Sequence, residues 1–119
     1  MGETIVKIRV FNLTSTKSAE ISVLVDTGAT YTALPQQVLD ELGIPKAGKV
    51  NIEFANGVVE EREIGNALIE VEGIRRATPV LFAREKDAYV LGLVTLEAYG
   101  LTVDPVTKKL IPLLKIHHY

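Results

Sequence analysis

Apolar and polar residues alternate along much of this chain, and only two stretches shift to helical spacing. Val6, Ile8 and Val10 alternate with Lys7 and Arg9, the period-two pattern of a strand with one buried face, which predicts a strand over 5–11. Turn-forming residues fill 12–18. Ile21, Val23 and Val25 then share one face of a second strand over 19–25, so the first two elements form a hairpin. A short apolar segment, 31–34, leads into Pro35. Val38, Leu39 and Leu42 follow at helical spacing before Gly43, which predicts a helix over 35–42 opened by proline and stopped by glycine.

Segments 50–54 and 58–64 flank Ala55-Asn56-Gly57. Asn-Gly is a strong hairpin signal because both residues tolerate positive φ. The return arm carries Glu60, Glu61, Arg62 and Glu63 in a row, which predicts an arm held largely in solvent and able to move. Further strands are expected over 67–71 and 77–83, joined by a turn at Gly73, and over 89–91. A helix over 94–99 ends at Gly100. The tail returns to β character over 101–103 and 109–114, around a turn at 104–107. With no repeat of solenoid length, the sum is an all-β (mainly) fold with two short helices, built as a small barrel or sandwich.

Composition narrows the function classes. A chain of 119 residues, 47% hydrophobic and 24% charged, fits a single packed domain over 1–119. Thirteen basic residues against fifteen acidic ones give a net charge of -2, which leaves no electrostatic footprint for nucleic acid. Cysteine is absent, which excludes disulfides and a thiolate nucleophile. No apolar run approaches the ~20 residues of a membrane span. The start lacks the regions of a signal peptide, and Val6 stands where myristoylation wants Ser or Thr. The expectation is a soluble, cytoplasmic protein. His117-His118-Tyr119 reads as a solvated terminus rather than a metal site, so neither metal nor cofactor is expected.

Asp26 is the candidate for chemistry. It ends the apolar run Val23-Leu24-Val25 and precedes Thr27-Gly28-Ala29; a carboxylate at the end of a buried strand needs compensation for its lost hydration. Gly28 permits a sharp turn and leaves a backbone amide open to the carboxylate, and the Thr27 hydroxyl can lock the loop. Asp-x-Gly is also a common surface turn, so the wider context has to decide.

The segment Val23 to Thr30 resembles the active-site segment of retropepsin-type aspartic proteases, an apolar strand running into Asp-Thr-Gly-Ala. A second family mark follows in order at Tyr89-Val90-Leu91-Gly92-Leu93, which leads into a helix, and Phe54-Ala55-Asn56-Gly57-Val58 lies where the family carries its flap tip. The resemblance covers roughly residues 5 to 112. It implies a retropepsin-like acid protease barrel with a flap hairpin. Viral members commonly place an acidic residue two after the catalytic glycine and an arginine after the downstream glycine. Here those positions hold Thr30 and Leu93, so the chain looks more like stand-alone members from bacteria and archaea.

Aspartic proteolysis needs two carboxylates that share a proton, because close like charges do not both ionise. The other aspartates, Asp40, Asp87 and Asp104, are not followed by Thr-Gly or Ser-Gly. A second Asp26 has to come from a second subunit, and a two-fold homodimer places it opposite the first. The resemblance then implies an aspartic endopeptidase acting on peptide or protein substrates, with Asp26, Thr27 and Gly28 catalytic. Thr27 would bridge the subunits, and Ala29, Ala55, Asn56 and Gly57 would bind substrate. Leu91 and Gly92 would support the catalytic loop, while Val25, Ala29, Leu34, Ile52 and Ile64 are candidate pocket walls. The tail residues Leu113, Leu114 and Ile116 would pack either within the chain or against a partner's terminus. Two alternatives stay open: a non-catalytic dimeric peptide-binding module of the same fold, and a subdomain that assembles with another chain.

Overall fold

The computed structural model describes residues 3–113. β1 (Ile5–Phe11) pairs antiparallel with β2 (Ser18–Val25), with Ile8 opposite Ile21. The Asn12 side chain holds the turn between them, its Oδ1 accepting the Thr16 and Lys17 amides at 2.9 and 3.1 Å. β3 (Thr32–Pro35) runs directly into α1 (Gln36–Glu41), whose Leu39 is fully buried. Then come β4 (Gly48–Glu53), β5 (Val59–Val71), β6 (Ile74–Ala83), β7 (Val90–Leu91) and α2 (Leu93–Tyr99). β8 (Leu101–Val103) and β9 (Leu110–Pro112) form a separate two-stranded sheet.

The main sheet has seven strands in the order β1-β2-β7-β3-β6-β5-β4, and β5 pairs additionally with β1 through Leu68 to Glu70. That pairing closes six strands into a barrel and removes their free edges. β4 stays outside the ring, paired with the first half of β5 from Gly48 opposite Ile64 to Glu53 opposite Val59. Ile8, Val10, Val23, Ile69, Val80 and Leu91 are fully or almost fully buried in the core. Leu96 joins that core from α2, and the Tyr99 hydroxyl, 2.6 Å from the carbonyl oxygens of both Ile69 and Arg76, ties the end of the helix to the β5–β6 hairpin.

The two strands expected over 58–64 and 67–71 are one strand, β5. Their phase changes at Gly65: Arg62 is buried on one face, whereas Ala67, Ile69 and Val71 are buried on the other. A strand covered on alternate faces by different neighbours reads as two strands by periodicity. Gly65 does not break the pairing. A Cβ there would lie 2.6 Å from the Pro45 carbonyl oxygen, so the glycine admits a crossing backbone. β6 begins three residues before the expected strand, because Glu72 and Gly73 both adopt positive φ (51° and 75°) and make a tight turn that extends the pairing to Val71–Ile74.

β9 pairs within the chain, and the Leu113 amide donates to Gly100 O at 2.7 Å. Leu114, Ile116 and His117-His118-Tyr119 lie outside the described residues, as does Met1-Gly2. Among the described residues no helix is long and apolar enough to cross a membrane, and no three His, Asp or Glu side chains gather around a point that could hold a metal ion.

Candidate active site

β7 lies between β2 and β3. It runs parallel to β2, with Leu24 opposite Val90 and Val25 opposite Leu91, and antiparallel to β3 at Ala33 opposite Val90. The chain therefore leaves β2 at Asp26, loops over the end of β7 and returns on its far side. Three backbone hydrogen bonds stitch the loop down: Asp26 N–H to Leu91 O at 3.0 Å, Leu93 N–H to Ala29 O at 2.8 Å, and Val94 N–H to Thr30 O at 2.9 Å. Gly92 sits directly beneath, where a Cβ would lie 2.4 Å from the Tyr31 carbonyl carbon and oxygen. Only glycine lets the two backbones approach this closely. Leu91, fully buried, and Gly92 thus lie under the loop, where the sequence expectation puts them.

The Asp26 side chain is fixed by its own turn. Its Oδ1 accepts the Gly28 amide at 2.9 Å, and the Ala29 amide donates to Asp26 O at 3.2 Å. Asp26 is half-buried, while Thr27 and Gly28 are exposed. A Cβ on Gly28 would come within 3.1 Å of the same carboxylate oxygen. The turn thus combines a charge-assisted hydrogen bond with one face of the carboxylate left open.

That carboxylate borders a cleft of about 750 Å³. Its walls come from the Asp26 loop, from Ala33 on β3, from Leu81 and Ala83 on β6, from 51–55 at the end of β4, and from Lys86, Asp87 and Ala88. Of the expected wall residues, Ala29 and Ile52 line it. Leu34 does not: it is fully buried in the core, because β3 turns Ala33 to the cleft and the next residue to the opposite face. Val25 and Ile64 pack half-buried away from the cleft. Ala55 lines it, whereas Asn56 and Gly57 stand beyond it at the exposed hairpin tip. There Asn56 Oδ1 accepts the Val58 amide at 3.0 Å, and Gly57 takes the positive φ of 84° that the turn requires.

Sequence reasoning passed over two groups of residues around the site. Thr32, Thr78 and Thr95 are all but fully buried and joined in a chain, with Thr95 Oγ1 2.6 Å from Thr32 Oγ1 and 2.8 Å from Thr78 Oγ1. Thr32 Oγ1 also accepts the Gly92 amide at 3.0 Å, which fixes the crossing from below. A signal was present at Thr95, a lone polar residue within the apolar run Leu93 to Leu96.

The second group corrects the expectation of a largely solvated return arm at one residue, Arg62, while Val58, Val59 and Glu61 are exposed as expected. Arg62 is only 3% exposed. Its Nε and Nη2 donate to the two carboxylate oxygens of Asp87 at 2.7 and 2.9 Å, and Nη1 approaches Glu60 Oε1 at 2.9 Å. The Arg62 hydrogen bonds hold the Asp87 carboxyl below the usual carboxylate range against the opposing effect of burial, and the Arg84 amide adds to the shift. Glu60 is likewise lowered, first by Lys86 and then by Arg62. A run of charges is normally a solvated face; here Glu61 is exposed and Glu60 and Glu63 are partly so, and only Arg62 is covered, by a loop some twenty-five residues further on.

The family model for gag-polyprotein putative aspartyl protease matches residues 14–98. Among solved structures, the chain is similar to EIAV protease complexed with the inhibitor HBY-793, with a TM-score of 0.65 and 22% identity over 83% of this chain and 89% of that one. At that identity the likeness speaks for the fold. No curated protein matches the chain.

Proposed function

Since the chain belongs to the retropepsin-like gag-polyprotein aspartyl protease family, we propose that it is a homodimeric aspartic endopeptidase whose single Asp26 becomes half of a two-carboxylate site. The observation that carries this reading is the Asp26 turn: a carboxylate held by the Gly28 amide, stitched onto Leu91 and open to the cleft. Asp26-Thr27-Gly28 occurs once in the sequence, so the second carboxylate comes from an identical subunit across a two-fold axis. Thr27, exposed beside that carboxylate, faces the partner's loop and bridges the subunits.

In this mechanism a water lies between the two Asp26 carboxyl groups, which hold one proton between them. The ionised group takes a proton from the water as its oxygen attacks the scissile carbonyl carbon, and the protonated group gives its proton to the carbonyl oxygen. Proton transfer to the amide nitrogen then accompanies cleavage of the C–N bond. Ala29 and Gly28 leave room for an extended peptide backbone. The hairpin tip at Asn56 and Gly57 closes over that backbone and excludes water.

The test is cleavage of a peptide library from acid to neutral pH by wild type and Asp26→Asn, with the dimer verified for both. Cleavage by wild type and its loss in the variant are expected. Activity that survived the substitution would rule out the mechanism, and tight peptide binding without any cleavage would favour the binding module.

A further inference from the structure

Arg62 is the only charged side chain among the buried described residues, and it does not itself line the cleft. Its partners do. The two-toothed bond to Asp87 reaches a wall residue of the loop between β6 and β7, and the guanidinium lies 5.4 Å from the ring centroid of Phe54, a wall residue at the end of β4. One planar group thus touches one wall residue from each of two separate segments. Lys86 to Glu60 at 2.9 Å joins the same loop to β5, the strand that carries Arg62, at the surface. Asp87 Oδ2 also accepts the Arg84 amide at 2.9 Å, so the carboxylate that receives Arg62 closes its own loop as well.

Stability alone is a poor explanation for this arrangement. A buried ion pair gains little over apolar residues of the same volume once desolvation is counted, whereas a guanidinium–carboxylate fork fixes distance and orientation together. The ribbon of β4 with the first half of β5 also needs fixing, since among the described residues β4 has β5 as its one strand neighbour.

We propose that Arg62 is a positioning residue that clamps the return arm of the hairpin to the 84–89 loop, so that the two walls of the cleft move as one unit and their separation selects the peptide. The consequence for peptides rests on the aspartic protease reading; the clamp itself does not. Arg62→Lys keeps the charge and loses the fork. In the full-length protein, amide hydrogen exchange across 52–60 and 84–89 is expected to accelerate together in this variant, with β1 and β6 unchanged. With a peptide substrate taken from the library, KM is expected to rise about tenfold while kcat stays within about twofold, since the reacting groups are not touched. The paired replacement Arg62→Met with Asp87→Leu fills the same space without the fork, and it should reproduce both effects in a folded protein.

Acceleration in only one of the two segments, or an unchanged KM in a variant that does cleave, would overturn the clamp. A wild-type protein that cleaves no peptide would remove the protease reading, and the exchange result would then decide the clamp by itself.

Discussion

Two segments frame the cleft, and they are held in opposite ways. The Asp26 loop is fastened by backbone hydrogen bonds to Leu91, Leu93 and Val94, and it lies so close over Gly92 that no side chain fits between. The hairpin ribbon over 48–64 is fastened to the 84–89 loop by side-chain charges, chiefly Arg62 to Asp87, and its tip is exposed. Backbone bonds within a close-packed crossing leave few alternative arrangements, as the proposed role of the Asp26 carboxylate requires. The buried Arg62–Asp87 fork ties the ribbon to that loop at one point, while the exposed tip beyond it carries no such tie among the described residues and keeps more freedom, as the proposed closure over a peptide requires.

The comparison is sharpened most by Asp26→Asn, which should lower cleavage by about 10³-fold or more, the equivalent of about 4 kcal/mol of barrier, while denaturant unfolding changes little. A large loss of stability in that variant would show that the carboxylate helps to hold the loop together. Gly92→Ala should cost about 3 kcal/mol or more, because the new methyl group meets backbone rather than a movable side chain. A denaturation midpoint close to wild type would break the claim that the crossing is tight.

Thr95→Val should cost about 2 kcal/mol by leaving the Thr32 and Thr78 hydroxyls without their shared partner; equilibrium unfolding measures it. On the other side of the comparison, Gly57→Ala places a methyl group in open space and pays only for positive φ, about 1 kcal/mol. Equal losses at Gly92 and Gly57 would erase the distinction between the two segments.

The smallest effect concerns pH. Arg62 holds Asp87 more acidic in the folded protein than in the unfolded chain, so this carboxylate adds stability that is fully present above its unfolded value of about 4 and is lost as pH falls through its folded value. Stability measured from pH 6 downward should decline, with the decline shallower in Asp87→Asn. An identical acid limb in the variant would show that Asp87 does not contribute.

Much of the fold was legible because local patterns carry it. Alternation marked β1 and β2, Pro35 and Gly43 bracketed α1, Asn56-Gly57 announced the hairpin, and Asp-Thr-Gly at the end of an apolar strand pointed to the turn that borders the cleft. The misreadings share one cause. Leu34 was expected in the cleft and lies in the core, β5 was divided at Gly65, and Arg62 was left in solvent. In each case the pattern identifies which residues share a face, but not what covers that face.

What the sequence by itself determined is therefore the order of elements, the Asp26 turn and its single occurrence, because strand period, turn chemistry and motif count are local properties. Only the tertiary structure decided that β7 enters between β2 and β3, that Thr32, Thr78 and Thr95 meet, and that Arg62 finds Asp87. Those partners lie between seventeen and sixty-six residues apart along the chain. Their meeting depends on barrel closure, where burial and hydrogen-bond satisfaction act between segments that carry no local sign of one another.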